Sequence, residues 1–163
     1  MTGAAARGNG LRHRRSRQSR HRPDRAAPAC RPRPDRLGRD LSDGAAITRR
    51  AELVFITTPD DDIADVCRAL ADADGFREGA VVAHCSGALP SDILAPARER
   101  GARVGGMHPL QTFADAEQAV ELMPGSWCCI EGDAEAVALL RRVAEQIGAR
   151  PLTIPTEHKA LYH

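Results

Sequence analysis

The stretch from Val81 to Phe113, VVAHCSGALPSDILAPARERGARVGGMHPLQTF, leaves few folds open. An apolar run, Ala80 to Ala83, stops abruptly in His84-Cys85-Ser86-Gly87. A helix-like segment starts at Ser91 or Asp92, turns Ile93, Leu94 and Ala97 inward and stops at Gly101. A second short run, Ala102 to about Gly105, ends in Gly106-Met107-His108-Pro109. Two strand ends joined by one helix belong to a parallel sheet and lie on the same edge of it. Open α/β sheets bind ligands beyond the carboxyl ends of their strands. Ser86 and His108 therefore share a candidate site.

Each residue there has a chemical reading. Ser86 can donate a hydrogen bond to a substrate oxygen, and Gly87 allows a backbone to approach a ligand closely. His108 precedes a proline, which biases it to an extended conformation and projects its imidazole from the strand end. Histidine suits proton transfer near neutral pH, although a lone histidine is often structural.

The rest of the ordered body repeats the strand–helix alternation. Ala51 to Thr58, AELVFITT, reads as a buried parallel strand. Thr58 or Asp60 is placed to cap a helix from about Asp61 to Ala71, buried through Ile63, Val66, Cys67 and Leu70. Asp60, Asp61 and Asp62 suit the helix dipole, so a metal site is not needed to explain them. The loop Thr57-Thr58-Pro59 lies at a strand's carboxyl end, where hydroxyls and backbone N–H groups can reach a nucleotide. Further on come a helix at 114–122, a strand at 127–130, and a turn at Glu131-Gly132-Asp133. A helix at 134–147 follows, with Val137, Leu140, Val143, Ala144 and Ile147 inward, then a short strand at 151–154. Thr156 is read as the cap of a last helix that the chain enters but does not finish.

Residues 1–50 differ in kind. They hold 14 Arg and 4 Asp but no Glu, Lys, Val or Phe, so too little apolar surface exists to offset chain entropy. Three explanations stand: a solvated tail, a basic phosphate-binding arm, or a segment translated out of frame, since Arg, Pro and Ala dominate it. Without aromatic residues, any nucleic-acid contact would be non-specific, and nucleic acid is not the expected partner. A G-x-G-x-x-G phosphate loop is absent, for Gly8-Asn9-Gly10 supplies only its first half and no apolar strand precedes it. The expected organisation is a disordered Arg/Pro-rich segment at 1–50, a Rossmann-like α/β domain with a parallel sheet at 51–155, and the start of a helical domain at 156–163. The chain thus reads as incomplete at both ends.

Composition excludes other classes. Apolar runs are too short to span a bilayer, and no h-region follows the basic N-terminus. Five cysteines without C-x-x-C spacing indicate free thiols in a reducing, cytoplasmic setting, not a zinc site or a disulfide framework.

The motifs LVFITTPDDDIADV, HCSGAL, GARVGGMHPLQTF and EHKALYH resemble a bacterial family of Rossmann-like proteins with a C-terminal helical domain of unknown function. That family is related to pyrroline-5-carboxylate reductase and the 6-phosphogluconate dehydrogenase group. The resemblance implies NADP or NAD as cofactor, hydride transfer to or from a small-molecule substrate, and a homodimer for the full-length family; without the family's Gly-rich loop, this chain reads as a fragment with impaired cofactor binding. A looser similarity to prephenate dehydrogenases rests on Ser86-Gly87 and on the turn at 105–109. It implies catalytic roles for His108 and Ser86, with Met107 departing from the pattern. Thr57, Thr58, Pro59, Ser86 and Gly87 are the implied cofactor contacts. Two alternatives remain: a non-catalytic ligand- or partner-binding module, and a hydrolase with Cys85 as nucleophile and His108 as base.

Overall fold

The computed structural model describes residues 43–162, and expectations for residues 1–42 fall outside them. Five strands form one sheet in the order β1-β2-β3-β4-β5. They are β1 (Leu53–Ile56), β2 (Val81–His84), β3 (Arg103–Pro109), β4 (Trp127–Gly132) and β5 (Arg150–Thr153). The helices are α1 (Asp60–Asp72), α2 (Ala95–Glu99), α3 (Ala116–Leu122), α4 (Ala134–Gln146) and α5 (Lys159–Tyr162). Short 3₁₀ turns at Ser91–Leu94 and Thr156–His158 lead into α2 and α5.

Alternation along the strands divides the core into two layers. Val54, Ile56, Val82 and Val104 face Ile63, Cys67, Leu70, Leu94 and Ala97 on one side. Val81, Ala83, Met107, Cys128 and Ile130 face Ala136, Leu140 and Ala144 of α4 on the other. With both faces covered, adjacent Cys128 and Cys129 point to opposite sides and are both buried.

β1, β2 and β3 run parallel, as do β4 and β5, but β3 pairs with β4 antiparallel. The expected parallel sheet therefore reverses once. The connection 110–126 leaves the carboxyl end of β3 and enters β4 at that same edge, so β4 must run back. Antiparallel additions to parallel sheets are common. The reversal also lengthens β3. Gly106 to Pro109, expected beyond the end of the strand, pair residue by residue with Glu131 to Cys128.

Other local expectations change. Residues 43–48 are helical, although composition placed them in the segment without structure. Ala45 is buried there, and Thr48 Oγ1 donates to the Gly75 carbonyl at 2.7 Å. Neither Thr58 nor Asp60 caps α1, because Pro59 holds the cap position and no side chain bonds there. Ile147 is exposed, since α4 ends at Gln146 and buries Ala136, Leu140 and Ala144 instead.

Candidate functional site

Strand register aligns the carboxyl ends of the three parallel strands. Ile56 lies opposite His84, and His84 opposite Gly106. The loops that leave this row form the candidate site, and two contacts show that they touch. Ser86 Oγ donates to Asp60 Oδ2 at 2.7 Å, joining the loop after β2 to the first turn of α1. Gly87 lies against the imidazole of β3, for a Cβ built on it would sit 2.8 Å from both Cε1 and Nε2 of His108. The Ser86-Gly87 loop and His108 therefore meet at one edge.

Ser86 meets that edge differently from its expected role. Its hydroxyl donates to Asp60 and accepts from the N–H groups of Ala88 (3.2 Å) and Leu89 (3.0 Å). A hydroxyl has one hydrogen to donate and two lone pairs. All are engaged, and the side chain is buried. Ser86 holds the loop rather than presenting a donor to a substrate. Asp60, read as a helix-start residue, is what occupies that donor.

Among the proposed cofactor contacts, Thr57 and Pro59 are exposed and Thr58 is half-buried. Thr58 Oγ1 is buried and has no hydrogen-bond partner among the described residues. Such a group at the carboxyl end of β1 fits a ligand that brings a polar atom to it. Cys85 is a poor nucleophile here. Burial pushes its thiol above the usual value, against the opposing pull of the Lys159 ammonium, so the hydrolase reading loses its thiolate.

A second group of polar residues lies beneath the rim, and sequence reasoning did not bring it together. Glu131, expected in a turn, is part of β4 and fully buried opposite Gly106. Its carboxylate accepts from Ser91 N at 3.1 and 3.3 Å, Ser91 Oγ at 2.7 Å and Thr156 Oγ1 at 2.9 Å. The Lys159 ammonium lies 3.5 Å from Oε1 and is 1% exposed. Thr156, expected as a helix cap, thus serves Glu131, and Pro155 takes the cap position.

His84 completes the group. It is fully buried, and its Nδ1 accepts from Ser86 N–H at 3.2 Å, which places the neutral ring's proton on Nε2. Burial, then the Lys159 charge, lowers its pKa; the Pro90 carbonyl, Glu131 and Asp60 oppose them without prevailing. The Pro90 carbonyl faces the Nε2–H outside good hydrogen-bond geometry. The sequence held one signal for this cluster: Lys159 is the sole lysine, every other one of the 23 Lys and Arg residues being arginine.

Among the described residues no group of three or more His, Cys, Asp and Glu is arranged to hold a metal, and no helix is long and apolar enough to cross a membrane.

Comparison with known proteins places these features in context. Residues 15–109 match the family model of a Rossmann-like domain, and residues 126–163 match that of a domain of unknown function (DUF2520). The first match reaches back into the Arg-rich segment, and the second starts at β4, well before residue 156. The chain is similar to a protein from Thermotoga maritima, at 31% identity over 68% of this chain and 40% of that one, with a TM-score of 0.55. It is similar in fold to arogenate dehydrogenase from Synechocystis, at 21% identity over 75% of this chain and 44% of that one, with a TM-score of 0.58. Prephenate dehydrogenase from Aquifex aeolicus shares the fold at 15% identity over 73% of this chain and 44% of that one, with a TM-score of 0.57. The chain spans less than half the length of each. No curated protein matches it.

Proposed function

We propose, for a chain that belongs to the Rossmann-like family, that it serves hydride transfer between a nicotinamide dinucleotide, NADP or NAD, and the C–OH or C=N carbon of a small molecule. The observation that carries this reading is the meeting of the Gly87 loop and the His108 imidazole at the aligned ends of β1, β2 and β3. Ligands of open α/β sheets bind at that edge.

Each residue then has a task. The cofactor, when bound, supplies the hydride chemistry. Thr57, Thr58 and Pro59 border it, and the buried Thr58 hydroxyl offers it a hydrogen-bonding group. Ser86 fixes the loop through Asp60 and the Ala88 and Leu89 amides, so that Gly87 lies against His108. His108, half-buried at the rim, holds or releases the proton that accompanies hydride movement at the substrate.

The test is a fluorescence titration of the full chain with NADPH and with NADH, followed by a screen of small alcohols and imines for turnover. Saturable but weakened binding of either cofactor is expected, since no G-x-G-x-x-G loop cradles its phosphates, and the absence of binding for both overturns the reading. His108→Ala should lower turnover by about 10²–10⁴-fold while leaving cofactor affinity in place. Unchanged turnover would remove His108 from the chemistry.

A further inference from the structure

An open sheet ends in two edge strands, and here the two edges are finished differently. At β5 the Arg150 and Ile154 N–H groups donate to β4 at 2.8 and 3.0 Å, so Pro151 and Thr153 turn their main-chain groups outward. Pro151 has no N–H to offer there, and Arg150 adds a charge. Proline and charged residues blunt an edge against further pairing. At β1 the Val81 N–H donates to the Glu52 carbonyl at 2.8 Å, which sets Glu52, Val54 and Ile56 toward β2. Leu53 and Phe55 therefore turn their N–H and carbonyl groups outward, where no strand among the described residues takes them. The strand is Leu-Val-Phe-Ile, without proline or charge, and Phe55 is 36% exposed. Such an edge is a template for another strand.

Charge selects the occupant. Arg50 stands just before β1, and Asp60, Asp61 and Asp62 open α1 just after it. Neighbouring Arg49 is taken by Asp74 at 3.0 Å, but the Arg50 guanidinium has no partner among the described residues. The edge thus carries a cation at its amino end and carboxylates at its carboxyl end. A two-fold axis normal to the sheet pairs β1 with a second β1 antiparallel, so each positive end meets the other's negative end. For the outward groups to exchange bonds, Leu53 must stand opposite Phe55 of the second copy, with Val54 on the axis. That register sets Arg50 opposite Thr58 of the second copy, two residues from its Asp60. Leu53 and Phe55 then form apolar cross-strand pairs on the side of the sheet where α4 packs mainly over β2 to β5. An unrelated strand could take the same main-chain groups, but it would not match both charges.

We propose that the outer edge of β1 joins a second copy of this chain into one continuous sheet, with Leu53 and Phe55 in the ladder and Arg50 facing the acidic start of the other α1. The main-chain bonds and apolar pairs supply the affinity. The charges fix the direction, since exposed ion pairs add little strength. The pairing runs along β1 and not across its carboxyl end, so it stands independently of the redox reading.

Sedimentation velocity of the full chain over a wide range of concentration tests this. A monomer–dimer equilibrium is expected, and salt should weaken it. Phe55→Lys puts a charge into each cross-strand pair and should raise the dissociation constant by about 10-fold or more, with the circular dichroism spectrum unchanged. Arg50→Glu should weaken the dimer as well, and Arg150→Glu at the opposite edge should not. A monomer at every concentration, or a dimer indifferent to Phe55→Lys and Arg50→Glu, overturns the proposal. Hydrogen exchange on the parent chain decides the matter should Phe55→Lys unfold. The Leu53 and Phe55 amides should gain protection as concentration rises. Protection independent of concentration means that the chain's own residues fill the edge, and fast exchange throughout means that nothing does; either result overturns the proposal.

Discussion

Gly106→Ala is the sharpest test of the buried cluster. The added methyl group would collide with Glu131 Oε1 and lie 3.0 Å from Lys159 Nζ. The carboxylate has nowhere to retreat, being fixed by Ser91 and Thr156. Overpacking a filled interior costs about 1–3 kcal/mol, and each hydrogen bond lost from a charged group adds about 1.5–3 kcal/mol. Loss of a single Glu131 bond brings the sum to about 2.5 kcal/mol or more. With a urea slope of about 2 kcal/mol per molar, the unfolding midpoint should fall by more than about 1 M. Gly44→Ala is the control: its nearest added contact is Leu70 Cδ2 at 3.8 Å, within the helical stretch 43–48. There, alanine should be neutral or stabilising by up to about 1 kcal/mol. A second comparison isolates the cause. If the methyl group acts through the carboxylate, Gly106→Ala should cost much less in a Glu131→Ala background, a coupling of about 1–3 kcal/mol. Strict additivity, or a Gly106→Ala midpoint within about 0.3 M of the parent, would refute the packing argument.

Gly87→Ala should act on function more than on folding. Its Cβ would stand 2.8 Å from His108 Nε2, so the ring must move, and turnover should fall by about 10-fold or more with the circular dichroism spectrum unchanged. Asp133 gives a pH signature. Burial alone would raise its pKa, but the Val104 N–H and the Arg98 guanidinium outweigh burial and hold it below the usual value. Its contribution is thus present above the unfolded value of about 3.9 and is lost as pH falls through the folded one. Urea melts of the parent and Asp133→Asn should therefore differ at neutral pH and converge in acid; a constant gap would contradict this. Burial pushes the Cys67 thiol up to about 11 and Cys128 up to about 12. Mass spectrometry after brief iodoacetamide treatment near neutral pH should find both unmodified, and rapid alkylation of either would show that the core opens.

The legible parts of this fold were those written in local pattern. Apolar runs ending in Thr-Thr-Pro and His-Cys-Ser-Gly marked the parallel strands, and the helical spacing of Ile63, Cys67 and Leu70 marked α1. Those strand ends brought Gly87 to His108, as their shared edge requires. The illegible parts depended on partners distant in sequence. Nothing between Gly105 and Pro109 reveals that β4 will return alongside and turn those glycines into ladder residues. Ser86 looked like a free hydroxyl because Asp60, 26 residues earlier, is its acceptor only after folding. Glu131 looked like a turn residue because Ser91, 40 residues away, makes its burial tolerable.

These misreadings share a physical origin, visible in the row Ile56, His84, Gly106 and Glu131 that crosses the sheet where its parallel strands end. Below that row the sheet is apolar: Val54, Val82 and Val104 pack against α1 and α2. Within it an imidazole, a missing side chain and a carboxylate replace what stability alone would fill with aliphatic groups. A buried ion pair is often no better for stability than well-packed hydrophobic residues of the same volume. The substitution of polar for apolar begins in register with the loops that carry Ser86 and Gly87, and with the strand end that carries His108. Lys159, the one lysine of the chain, is drawn into that row from the start of α5.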